Sequence, residues 1–190
     1  MAVTAPSVLD GNLLTVADSD FEAGSPTWAA SVNAGTVAVA ATTAFSGTAS
    51  LGWKATAAGN STVATGFYPV KAGLTYTASA YITTGSAAFA FTGVSWYNAS
   101  HTLISSTPGP PNGSRATARW QPVFFAATAP PLAAFATLTA TVTANAAAEQ
   151  EWLDLAYFAP TIVQVLADFF NPTFGTSAAG GNDFADITPF

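Results

Sequence analysis

Cysteine is missing from this chain, which excludes disulfides, thiol nucleophiles and thiolate metal sites together and leaves stability to packing. Charge is scarce as well: charged residues are 7 % of the total, and only Lys54, Lys71, Arg115 and Arg119 are basic, against ten acids. Gripping a run of phosphates takes several clustered cations, so nucleic acid is excluded as a partner. The same scarcity excludes a polybasic membrane patch and a disordered acidic tail. Long uninterrupted apolar runs are also lacking. The most apolar stretch, "PVFFAATAPPLAAFATLTATV", carries three prolines and alternates small polar with apolar residues, which makes a poor membrane span. The opening residues, "MAVTAPSVLDGN", have neither the basic start nor the apolar run of a secretory leader, so the expectation is a protein that is not exported by that route.

The means of catalysis are equally thin. His101 is the single histidine and falls in the apparent turn "YNASHTLI", and no G-x-S-x-G elbow offers it a serine partner. Glycoside hydrolysis needs two carboxylates facing each other across a cleft, about 5 to 10 Å apart. Glu149 and Glu151 are close in sequence, but they read as a solvated polar edge. No phosphate-cradling glycine loop or zinc spacing is present. The sequence reads as that of a non-enzyme.

What is present is strand periodicity. In "TYTASAYIT", Tyr76, Ala78, Ala80 and Ile82 take one face, with Thr75, Thr77, Ser79, Tyr81 and Thr83 on the other. In "AAFATLTATVT", Ala134, Ala136, Leu138, Ala140 and Val142 oppose Phe135 and a row of threonines. Further strands are expected over 36–41, 49–56, 62–70, 87–97, 119–127 and 151–158, separated by Gly, Pro, Asn and Ser clusters. About eight strands without a convincing helix between them predict an all-β fold, a two-sheet antiparallel β-sandwich. After residue 160 the texture changes. "TIVQVLADFF" fits a helical face through Ile162, Val165, Leu166 and Phe169, or a strand phase through Val163, Val165, Ala167 and Phe169. A Gly- and Ala-containing tail with Phe174, Phe184 and Phe190 follows. Residues 1–11 are thus a leading segment, 12–160 the sandwich, and 161–190 a helical or extended arm whose aromatics dock on another subunit or protein, or fold back on their own domain.

Four stretches, in order, resemble the jelly-roll carbohydrate-binding modules of the family four and nine type. They are "NLLTVADSDFEAGSPTWAAS" (12–31), "GFYPVKAGLTYTASAYI" (66–82), "GVSWYNASHTLI" (93–104) with "ARWQPVFFAATAP" (118–130), and "EQEWLDLAYFAP" (149–160). The second departs slightly from the family pattern, with Ala72 before the glycine. The resemblance implies a jelly roll over 12–160, with Trp28 in the core. It also implies a structural calcium held by Glu22 and Asp154 with backbone carbonyls, Asp18 or Asp20 being alternatives to either acid; the competing reading has Glu22 capping backbone amides in a loop and Asp154 exposed. The Ala/Thr/Gly-rich, lysine-poor texture resembles minor tail and other virion surface proteins of phages that infect high-GC actinobacteria. That likeness implies a virion protein assembled in the host cytoplasm, joined to other virion proteins and to copies of itself through the arm, and aiding attachment to host cell-surface polysaccharide. The alternative is a binding module of a secreted glycoside hydrolase system.

Sugar-binding modules stack aromatic faces on pyranose rings. Trp53 shares a strand face with Leu51 and Ala55, and Trp96 with Val94 and Ala90, so both are expected inside; Tyr68 and Trp120 are further aromatic candidates. The expected ligand-binding residues are Tyr81 and Tyr97, on the opposite phases, with Asn98 and Gln121 as polar partners.

Overall fold

The computed structural model describes residues 11–85, 89–111 and 119–161. They form a short helix, α1 (Val16–Ser19), and eleven strands: β1 (Ala29–Val32), β2 (Ala34–Ala40), β3 (Ser50–Ala55), β4 (Gly59–Ala64), β5 (Tyr68–Pro69), β6 (Thr75–Thr84), β7 (Ala90–Tyr97), β8 (Leu103–Pro108), β9 (Gln121–Thr128), β10 (Phe135–Ala144) and β11 (Gln150–Pro160). One sheet, here sheet A, runs β1-β4-β10-β7-β8 with β5 alongside β10; the other, sheet B, runs β2-β3-β11-β6-β9. All the pairings are antiparallel. This is the expected two-sheet β-sandwich. The 161–190 arm lies outside the described residues, apart from Thr161.

The core sits between the sheets and follows the alternation of their strands. Leu51, Trp53, Ile82, Leu153 and Phe158 of sheet B face Val63, Val94, Trp96, Leu138 and Val142 of sheet A, all buried. Alanines at 78, 80, 136 and 140 make room for the large rings, so that volume is shared unevenly and the layers interdigitate. Tyr76, Trp96 and Phe158 form one aromatic knot, with ring centroids 5.2 to 6.5 Å apart. Trp53 and Trp96 point inward, as their strand phases require.

Three elements differ from the sequence expectation. The single strand expected at 62–70 is two, because the Thr65 hydroxyl takes the amide of Leu138 at 3.0 Å and turns the chain out of the ladder between β4 and β5. β1 and β8 were not anticipated. Both are edge strands with almost every residue exposed, so neither carries an inside-outside alternation to read.

Candidate functional site

Asp18, the first acid among the described residues, is spent on structure. Thr15 caps α1 by accepting the Asp18 amide, and the Asp18 carboxylate accepts from the Thr27 amide, the Thr27 hydroxyl and the Tyr68 phenol. Trp28 lies against this knot, its indole N–H donating to the Asp18 carbonyl at 2.9 Å, and it is buried as expected. The alternative of Asp18 as a calcium ligand therefore finds its oxygens already engaged. Tyr68 is buried in the same knot and offers no ring face to a ligand.

Past α1, Phe21 adopts φ 60°, an uncommon conformation for a residue with a side chain, and buries its ring beside Trp28 at 6.4 Å. That twist sends Glu22 the other way, toward the loop joining β2 to β3. Glu22 Oε1 accepts the amides of Thr48 and Ala49 at 2.7 and 2.8 Å, and Oε2 accepts the Thr48 hydroxyl at 2.7 Å. Asp154 grips the same loop from below. Its Oδ2 accepts the amides of Phe45 and Ser46 at 2.9 and 3.0 Å, while Oδ1 accepts Leu155 N at 2.7 Å. Two acids from opposite ends of the sequence thus clamp residues 45–49. Asp154 is fully buried, although it points out of the sandwich, because the loop covers it.

The clamped loop carries a ring. Phe45 stacks on Tyr81 with centroids 3.8 Å apart and planes 12° apart, and meets the edge of Trp120 at 6.1 Å. Strand register explains the meeting: Tyr81 of β6 lies directly between Asp154 of β11 and Pro122 of β9, on the outer face of sheet B. Two pairs along, Trp152 faces out opposite Thr83, and Gly52 of β3 is its neighbour on the other side. A β-carbon on Gly52 would meet Gln150 Nε2 at 3.3 Å and the edge of the Trp152 ring at 3.5 Å, so the indole lies over this position of β3. Phe45, Tyr81, Trp120 and Trp152 form a partly exposed aromatic surface, with Phe45 the most open at 40 % exposure.

The four expected ligand-binding residues do not converge. Tyr81 belongs to this surface. Gln121 is on the adjacent strand but pairs with Ile82, so its side chain takes the other phase. Tyr97 and Asn98 lie at the end of β7 in sheet A, where Tyr97 joins an exposed cluster of Phe67, His101 and Phe135; His101 stacks on Phe67 at 4.1 Å. Asn98 spends its side-chain oxygen on the amides of Ser100 and Thr102, both at 2.9 Å, shaping the turn in which His101 has φ 58°. Sequence reasoning passed over Phe45 and Trp152. Phe45 sits in a loop without periodicity, but Trp152 was readable, since it alternates with Leu153. Glu151 requires a correction: it faces inward beside Trp53 and Thr84 and is fully buried, where a solvated edge was expected.

Electrostatics separates the clamping acids. Burial pushes the Asp154 carboxyl up to about 6, against the pull of its amide donors, with the Glu22 charge adding to the rise. Glu22 goes the other way: exposed as it is, the cost of partial burial is outweighed by its hydrogen bonds from Thr48 and Ala49. Asp20 is raised by burial, with Glu22 contributing, and its Oδ2 is buried without a hydrogen-bond partner. A cation in this corner would relieve Asp154 and Asp20, whereas Glu22 is already served by its hydrogen bonds. For calcium the donors are right in kind, being carboxylates, but the oxygens of Glu22 and Asp154 are engaged by amides and a hydroxyl as those of Asp18 are, and only the Asp20 Oδ2 is without a partner. Among the described residues no three acidic or histidine side chains converge as a metal group, so backbone carbonyls and water would supply the rest of the shell.

No protein-family model matches this chain, and no curated protein matches it. Solved structures do. The CBM22-1 xylan-binding domain of Paenibacillus barcinonensis Xyn10C superposes with a TM-score of 0.58 at 17 % identity, covering 75 % of this chain and 91 % of that one. TmCBM61, solved in complex with β-1,4-galactotriose, gives 0.54 at 15 % identity over 79 % and 99 %. The enzymatically active domain of bacteriophage CBA120 tailspike protein 4 gives 0.58 at 11 % identity, over 80 % of this chain and 22 % of that one. What these share with the chain is the fold: it is the jelly roll of carbohydrate-binding modules.

Proposed function

We propose that this jelly roll binds polysaccharide, without catalysis, on the outer face of sheet B. The observation that carries the reading is the group of Phe45, Trp120 and Trp152 around Tyr81, partly exposed on one face and fixed from beneath. Flat aromatic faces take the C–H faces of pyranose rings, and a rigid platform loses little side-chain entropy when it does so. The acids close by do not suit hydrolysis: Asp154 is covered and committed to amides, and Glu151 is inside the core, where no sugar reaches. In this reading calcium, where bound, stiffens the Glu22 and Asp154 clamp and so holds Phe45 in place.

The setting we infer is a virion surface, with the protein assembled in the host cytoplasm and residues 161–190 docking it to neighbouring subunits. Support comes from the Ala/Thr-rich, cysteine-free composition and from the fold shared with a tailspike domain. A shallow site of this kind holds one sugar chain at about millimolar to micromolar strength, roughly −4 to −8 kcal/mol. Many copies on one particle would convert that into firm adhesion to a host glycan. The alternative setting, a secreted glycoside hydrolase system, is supported by the likeness to the Xyn10C domain. Affinity electrophoresis against xylan, galactan and actinobacterial cell-wall polysaccharides tests the binding. Retardation by at least one of them that is lost in Trp152→Ala supports it, and free migration in all of them overturns it. Mass spectrometry of purified phage particles tests the setting.

A further inference from the structure

We propose that Glu151 is a proton-operated latch at the end of the sandwich where β11 begins: neutral, it stays seated between the sheets, and ionised, it loosens that end. Its position is the first ground. Glu151 pairs with Trp53 of β3 and Thr84 of β6, in the same inward phase as Leu153, and is fully buried. Neither carboxyl oxygen has a well-formed hydrogen bond; the Glu149 side chain and the Gly85 amide are the only polar groups that act on it from nearby. A carboxylate left that way is among the costliest groups to bury, whereas the protonated acid is tolerable.

Among the described residues no cation is seated against Glu151: Arg119, just before β9 at this end of β6, is exposed. In the turn before β11, Glu149 is a second acid, and its Oε2 already accepts the Asn145 amide at 2.7 Å. On β3 the next residue, Lys54, is exposed and pairs with Gln150, which puts it on the opposite face from Glu151. β6 contributes Thr84, followed by Gly85. Across the sandwich the inward positions at this end are Ser61, Ala90, Val142 and Ala144, none of them titratable, and Ser61 is held by the Trp53 indole at 3.2 Å. Burial first, then the charge of Glu149 and a hydrogen bond shared with its side chain, push Glu151 up to about 8, opposed by the weaker pull of the Gly85 amide.

The direction of the effect follows. An acid held protonated in the fold but ionised when unfolded favours the fold fully below its ordinary range, and that favour is lost as pH climbs to the folded value. The folded state therefore weakens from about pH 4.5 to about pH 8 on account of this one residue. Asp154 is half titrated at about pH 6 and has nearly finished by about pH 7, which leaves pH 7 to 9 as the window in which Glu151 dominates.

Thermal melts of the full chain across that window, with Glu151→Gln and Glu151→Leu beside the parent, test the latch. The parent midpoint is expected to fall relative to both variants by roughly 5 °C as pH rises. Protection of the amides at residues 83–85 and 150–153, taken relative to the intrinsic rise of exchange with pH, should fall in the parent alone. Parallel melting curves for parent and variants would overturn the proposal. Should neither variant fold, a carbon NMR titration of the parent's glutamate carboxyls decides: one carboxyl titrating near pH 8 upholds it, and all of them titrating in the ordinary range contradict it.

Discussion

Phe45 lies flat on Tyr81, 3.8 Å between ring centres, and the side chain that fixes its backbone there is Asp154, Tyr81's partner across the β6/β11 pair. A loop ring, a strand ring and a buried acid are thus set by one row of the sheet. Removing the acid should free the ring. In Asp154→Ala the amides of Phe45 and Ser46 lose their acceptor, at a cost of about 1–3 kcal/mol. The measurement is a denaturant melt together with the near-ultraviolet circular dichroism of the Phe45/Tyr81 stack, which should weaken before the fold is lost.

Gly47 supplies an independent handle on the same clamp. It has φ 68°, and a β-carbon there would collide with the Glu22 carboxylate. Gly47→Ala should therefore reproduce Glu22→Gln in both stability and glycan retention, while adding about 1 kcal/mol of backbone strain. A Gly47→Ala protein identical to the parent in both measurements would show that Glu22 does not hold the loop.

The pH profile of the clamp has a definite sign. Asp154 is raised to about 6 in the fold, so it binds its proton more tightly folded than unfolded, and stability falls as pH rises from about 4 to 6. Glu22 is lowered and acts oppositely, its contribution fading as pH drops. Asp154→Asn should lessen the fall between pH 4 and 6 in chelator-treated protein, leaving the share that Glu151 contributes. Added calcium is expected to raise the melting midpoint of the parent near pH 7 and to leave Asp154→Asn almost unmoved. An unchanged midpoint in the parent, with calcium or with chelator, would remove the metal from the account.

Trp28 tests the core rather than the surface. Truncation to alanine should cost about 3–5 kcal/mol and also strand the Asp18 carbonyl that its indole satisfies. Loss of cooperative melting is the expected readout. A Trp28→Ala protein that melts like the parent but fails to bind glycan would move this residue from the core to the site.

The sandwich was legible because its central strands alternate cleanly: Tyr76 to Ile82 and Ala136 to Val142 each declare an inside and an outside, and the phases of Trp53 and Trp96 follow. The edges were not, since AASV and LISSTP have no buried face to mark them. Glu22 and Asp154 were picked out on resemblance, and the structure gathers both on one loop, though through amides that no sequence pattern announces. In "EWLDLAYF" the phase of Leu153 already placed Glu151 inside and Trp152 outside. A buried glutamate contradicts the usual polarity rule, which made the solvated reading attractive. The bulge at Leu155, φ 46°, then shifts the phase before Tyr157, so that strict alternation along the whole strand misleads. Phe45 had no such signal, because its place depends on the clamp.

The most direct measurement of the central claim is affinity electrophoresis of the parent, Trp152→Ala and Phe45→Ala on one retarding polysaccharide, paired with their melting midpoints. The account predicts a loss of binding of about tenfold or more in each variant, near 1.4 kcal/mol, with midpoints close to the parent's. Variants that bind as the parent does would contradict it, and the outer face of sheet B would not be where this protein meets its sugar.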